Sequence, residues 1–90
     1  MVWKVELAKS AEAELGKFDP QVARRVLVFL HQRVANLDNP RSIGEALKGT
    51  RLGNFWKYRV GDWRIICTIH DDAVVVQVLH IGNRREVYRD

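Results

Sequence analysis

The chain is sparing with the residues that usually declare a chemistry. It has one cysteine, Cys67, among 90 residues. It can therefore close no internal disulfide, which points to a reducing compartment. Its three histidines, His31, His70 and His80, are scattered. Neither a Cys-x-x-Cys pair nor a His-Glu-x-x-His helix occurs, so the common zinc sites are excluded and no metal is expected. The glycines around Lys48 lack the spacing of a phosphate-binding loop. No apolar run approaches the length of a membrane span. Lys4 and Glu6 interrupt the stretch where a signal peptide needs continuous apolar residues. These absences predict a cytoplasmic protein with no membrane partner and no cofactor. A chain this short buries only a modest core, and one domain over residues 1–90 is expected.

What is present is a mild basic excess, 15 Lys and Arg against 11 Asp and Glu, a net charge of +4. That permits an anionic partner such as RNA without requiring one, so placement matters more than the total. Trp3, Val5 and Leu7 alternate with Lys4 and Glu6, the pattern of a half-buried strand. Ser10 is expected to cap a short helix ending at Gly16. Asp19-Pro20 signals a second start, with Asp as cap and Pro at the first helical position. Val22, Val26, Phe29, Leu30, Val34 and Leu37 then follow helical spacing, and the opposite side carries Arg24, Arg25, Gln32 and Arg33. This predicts an amphipathic helix of about five turns, stopped by Asn39-Pro40. The stretch from Arg41 to Asn54 reads as loop. Three strands follow, separated by Gly61-Asp62 and by Asp71-Asp72, with Gly82 ending the last. Strand, two helices and a three-stranded antiparallel meander make a two-layer α+β fold.

The turns set a register, and the register assigns faces. A two-residue Gly61-Asp62 turn pairs Val60 with Trp63, Arg59 with Arg64 and Lys57 with Ile66. A two-residue Asp71-Asp72 turn sets Ile69 against Val74, Ile65 against Val78 and Arg64 against Leu79. One face then carries Trp56, Tyr58, Val60, Trp63, Ile65, Cys67, Ile69, Val74, Val76, Val78 and His80, and packs on the helices. The other carries Lys57, Arg59, Arg64, Ile66, Thr68, Gln77, Leu79 and Ile81. Three cations thus gather at one end of the open face, with Arg59 and Arg64 directly opposite each other. Like charges so placed repel, which a shared anion would relieve; splaying into water is the competing outcome. Cys67 on the core face reads as an apolar filler, and the three tryptophans as core rather than as stacking platforms for bases.

The segment Trp56-Lys57-Tyr58-Arg59-Val60-Gly61-Asp62-Trp63-Arg64-Ile65-Ile66, then Val74–Ile81 and Gly82-Asn83-Arg84-Arg85-Glu86-Val87-Tyr88, resembles the RelE branch of the RelE/ParE toxin superfamily. Leu47-Lys48-Gly49 also fits the family's pre-strand loop. The resemblance runs along essentially the whole chain. It implies a RelE-like fold and the toxin of a type II toxin–antitoxin system, restrained by a RelB-like antitoxin. It further implies an endoribonuclease that cleaves messenger RNA in the decoding site of the small ribosomal subunit without a metal. The site it implies is Lys57, Arg59, Arg64, Arg84 and Tyr88. Lys57 matches the family's first strand lysine, and Arg64 the arginine of the next strand. Arg84 matches the arginine of the tail, and Tyr88 the stacking tyrosine. Arg59 stands where well-known relatives have a second lysine, and Asn83 where many carry His or Lys. The alternative is a ParE-like toxin of the same fold that poisons DNA gyrase without nuclease chemistry.

Overall fold

The computed structural model describes residues 2–47 and 55–83. Strand β1 (Lys4–Leu7) leads into helices α1 (Lys9–Gly16) and α2 (Pro20–Val28), and α2 continues as a π-helical turn, Phe29–Val34. A short 3-10 turn at Pro40–Ser42 precedes strand β2 (Glu45–Ala46). Strands β3 (Phe55–Val60), β4 (Trp63–His70) and β5 (Val75–Asn83) complete the described chain. The strands form one mixed sheet in the order β1-β5-β4-β3-β2, with β1 parallel to β5 and the other pairs antiparallel. The expected α+β fold is present. It is extended by β2, which falls in a stretch expected to be loop.

Asp19 caps α2 as expected, its carboxylate accepting from Gln21 N at 2.9 Å. Ser10 does not cap α1. Ala8 stands at the cap, and Ser10 lies in the first turn, donating its hydroxyl to Leu79 O at 2.6 Å. Glu14 of the same helix accepts from Ile81 N at 2.9 Å. Strand β1 ends at Leu7, and α1 takes over beyond it, satisfying backbone groups of β5 that no strand reaches.

The second helix departs from regular spacing. In an unbroken α-helix Arg33 lies four residues after Phe29 and seven after Val26, on the buried stripe. The π turn avoids this. Ala35 N donates to Leu30 O, a bond five residues back, at 3.0 Å. The wider turn advances less per residue, which rotates Val34 fully into the core and brings Arg33 out beside Phe29, exposed. Arg33 is thus on the flank of the helix next to the sheet, not on the opposite side.

The β3–β4 register is the expected one, with Lys57 on Ile66, Arg59 on Arg64 and Val60 on Trp63. Gly61 alone of the two turn residues has positive φ, +59°, as a type II′ hairpin turn requires. The β4–β5 register differs from expectation twice. His70 pairs with Val75, so the turn has four residues, and its last, Val74, sits at φ +55°. This slips the pairing by two residues, setting Ile69 against Val76 and Cys67 against Val78, and an even slip keeps the faces. A bulge at Leu79 then adds one residue, so that Ile66 meets His80 and Ile65 meets Ile81. An odd shift exchanges the faces. Ile81 is therefore completely buried in the core, and His80 lies on the open face, 3.6 Å from Glu14. Both residues are on the side opposite to that expected. Ile81→Ala should accordingly destabilise the fold by about 2–5 kcal/mol, and His80→Ala by no more than about 0.5 kcal/mol. Urea unfolding measures both, and the reverse ranking would restore the register without a bulge.

The core lies between the helices and one sheet face. Ala11, Val26, Leu30 and Val34 meet Tyr58, Val60, Ile65, Cys67, Val76 and Val78 there, and Trp3 closes one side. Trp56 and Trp63 are half-buried, Trp63 with its ring 4.4 Å from Phe18. The tryptophans are packing residues, as their alternation predicts.

Candidate active-site groove

Strand β3 carries Lys57 and Arg59 two residues apart, on the face away from the helices, and the tight turn returns Arg64 opposite Arg59. Their repulsion is handled by depth. Arg59 is exposed and has no hydrogen bond or ion pair among the described residues. Arg64 is only 6% exposed, and its Nη1 donates to Gly61 O and Trp63 O, both at 3.3 Å. The carbonyls of the turn thus hold the buried guanidinium in place beside Arg59, and it does not splay into water.

Lys57 faces β2. Glu45 lies directly across from it in the ladder, and Lys57 Nζ is 3.8 Å from Glu45 Oε1. The lysine side chain is 18% exposed and the glutamate 70%. Glu45 escapes a reading of the sequence because a two-residue strand is too short to show an alternation.

The approach of β2 depends on Gly44, which has φ +78°. A Cβ there would overlap Lys57 O and lie 2.7 Å from Trp56 Nε1 and 2.9 Å from Tyr58 Cδ1. Two side chains of β3 pin the preceding segment. Trp56 Nε1 donates to Ile43 O at 2.8 Å, and the Tyr58 hydroxyl donates to Pro40 O. Burial pushes the Tyr58 hydroxyl far up, the nearby Cys67 adds to this and Arg41 opposes it, so Tyr58 serves as a neutral donor. At the far end, Arg41 makes a paired guanidinium–carboxylate contact with Asp71, both bonds at 2.9 Å.

Between these elements lies an open groove of about 400 Å³. Phe29 and Arg33 border it from the helix layer, Glu45 from β2, and Lys57, Arg59 and Arg64 from the hairpin. Phe29 meets Tyr58 edge to face, with ring centres 5.8 Å apart. Among the described residues the groove thus presents several cations and one carboxylate at a concave surface, a setting suited to holding an anion and transferring protons beside it. Of the residues singled out from sequence, it brings together Lys57, Arg59 and Arg64. Arg84 and Tyr88 lie outside the described residues. Arg33 and Glu45 are additions that sequence reasoning missed.

The single thiol of the chain is remote from solvent. Cys67 is fully buried, and burial pushes its thiol up to about 12. Among the described residues no group of three or more His, Cys, Asp or Glu side chains could hold a metal ion, and no helix is long and apolar enough to cross a membrane.

Comparison with known proteins bears on the fold and the family. Toxin RelG of Mycobacterium tuberculosis is 26% identical over 89 residues, covering 99% of each chain. The fold is similar to the toxin–antitoxin complex RelBE2 of the same organism, with a TM-score of 0.84 at 22% identity over 96% of this chain and 95% of that one. It is also similar to the archaeal RelE–RelB complex from Pyrococcus horikoshii, with a TM-score of 0.73 at 24% identity over 96% and 99% of the two chains. Residues 5–88 match the family model of the ParE toxin of type II toxin–antitoxin systems. By that match the chain belongs to the ParE toxin family of type II toxin–antitoxin systems, within the RelE/ParE superfamily that its sequence resembles.

Proposed function

We propose that this toxin is an endoribonuclease that cleaves messenger RNA in the decoding site of the ribosome and so arrests translation. The observation that carries the reading is the convergence of Lys57, Arg59 and Arg64 on one open groove, with Glu45 across from Lys57. In this chemistry the neighbouring 2′-hydroxyl of the RNA attacks its own phosphate. The reaction needs a base for that hydroxyl, cations for the charge that builds on the phosphorane, and an acid for the leaving 5′-oxygen. Lys57 is the proposed base, held toward the groove by Glu45 before substrate arrives. Arg59 and Arg64 grip the phosphate, and Arg84, which matches the family's tail arginine in sequence, is the third cation proposed for that task. Tyr88 stacks on a base and keeps the strand bent for in-line attack. The products are a 2′,3′-cyclic phosphate, or the 3′-phosphate from it, and a 5′-hydroxyl.

A RelB-like antitoxin is the proposed inhibitor. An acidic or amphipathic segment laid over this groove would neutralise its cations and exclude RNA. The description of the matching family favours a second reading, a ParE-like toxin that poisons gyrase. One experiment separates the two. The chain is expressed without its antitoxin, and a reporter messenger RNA is followed together with gyrase–DNA breaks. Growth arrest with cleavage of the reporter only while it is translated supports the nuclease. Accumulating DNA breaks with intact messenger support the gyrase poison, and harmless expression removes both.

A further inference from the structure

The groove holds more positive charge than one scissile phosphate needs. Arg33, Lys57, Arg59 and Arg64 line it with one carboxylate among the described residues, Glu45, and of these four cations Arg33 and Arg59 have no hydrogen bond or ion pair to a described residue. One phosphodiester carries one negative charge. A strand with at least one further phosphate in the groove matches the charge better.

Arg33 is the cation placed to take that second phosphate. It comes from the helix layer, whereas the other three come from the sheet. It is exposed, and no described residue gives it a hydrogen bond or ion pair. Its position is built by a local departure from regular helix. Without the π turn, Arg33 would share the buried stripe with Val26 and Phe29; with it, Arg33 borders the groove while Val34 fills the core. Wide turns of this kind are often found at functional sites. The deep Arg64 is tied to the turn carbonyls and Lys57 is beside Glu45, whereas Arg33 and Arg59 are the two groove arginines with no such partner.

We propose that Arg33 binds a backbone phosphate of the RNA strand flanking the one held by Arg59 and Arg64, so that the groove grips the substrate from both layers of the fold. The proposal rests on the nuclease reading. Arg33 is a binding residue in it and takes no part in bond breaking. Its contact is the same in the ground state and the transition state, and its loss shows in KM rather than kcat.

The test uses the whole toxin on ribosomes programmed with messenger RNAs in which single phosphates beside the cleavage position are replaced by neutral methylphosphonates. Arg33→Gln should raise KM about tenfold, leave kcat within about twofold, and reduce the slope of log KM against log salt by about one phosphate contact. One flanking methylphosphonate should raise the KM of the unaltered toxin by a similar factor and have no further effect on Arg33→Gln. Arg33→Lys should recover part of the loss, because a point charge still reaches a phosphate. The proposal is overturned if Arg33→Gln has the KM of the unaltered toxin, or if its loss multiplies with that of every methylphosphonate. It is equally overturned if Arg33→Gln weakens only the antitoxin complex, which would make the arginine a protein contact. Failure of the unaltered toxin to cleave on ribosomes is a different outcome, and it removes the nuclease reading and this inference together.

Discussion

Lys57→Ala is expected to lower messenger RNA cleavage about a hundredfold or more, the scale of a lost general base. Lys57→Arg is expected to lower it as much, since a guanidinium keeps the charge but gives up no proton at working pH. The lysine side chain is largely covered, so its truncation also costs some packing, about 1 kcal/mol. Unfolding midpoints measured beside the cleavage rates separate the two effects. Glu45→Gln completes the set. If Glu45 only holds Lys57 toward the groove, its loss should be several-fold smaller than that of Lys57→Ala. Full activity in Lys57→Arg would mean that charge alone is needed at this position. The base would then be sought at Glu45, or at His80, which the bulge brings onto the same sheet face.

The largest effect on stability is expected at Gly44. Gly44→Ala must hold a side chain at φ +78° and place its Cβ against the Lys57 carbonyl, the Trp56 indole and the Tyr58 ring. The left-handed backbone alone costs about 1–2 kcal/mol. Two of the three neighbours are fixed, one by the β-ladder and one by the indole hydrogen bond to Ile43 O, so the overlap cannot relax cheaply. A total loss of about 3 kcal/mol or more is expected, equivalent to a fall in Tm of more than about 10 °C for a chain of this size. Thermal unfolding measures it. Cleavage should fall as well, because displacing β2 moves Glu45 away from Lys57. A Gly44→Ala protein with unchanged Tm would show that β2 can shift aside without loss, and the close approach would carry no structural weight.

The strand–helix–helix–meander order was legible in the chain because its signals are local. Alternation marks β1, Asp19-Pro20 starts α2, and Gly61-Asp62 is short enough to dictate the pairing of β3 with β4 by itself. That pairing by itself places Lys57, Arg59 and Arg64 together. The chemistry implied for Arg84 and Tyr88 came from family resemblance alone, with no local geometry behind it.

Tertiary structure decided what depends on contacts between distant segments. The extra residue at Leu79 is set where α1 reaches the backbone of β5 through Ser10 and Glu14, and no pattern within β5 announces it. It alone determines whether His80 or Ile81 faces the core. The short β2 exists because Gly44 permits close approach to β3, and that brings Glu45 to Lys57. The π turn exists because Val34 is more favourably buried than Arg33, a competition settled by packing against the sheet and invisible to a fixed helical period. A sequence specifies faces through regular periods. The groove joins three cations placed by such a period, Lys57, Arg59 and Arg64, to Arg33 and Glu45, which are placed by the π turn and by the close approach of β2.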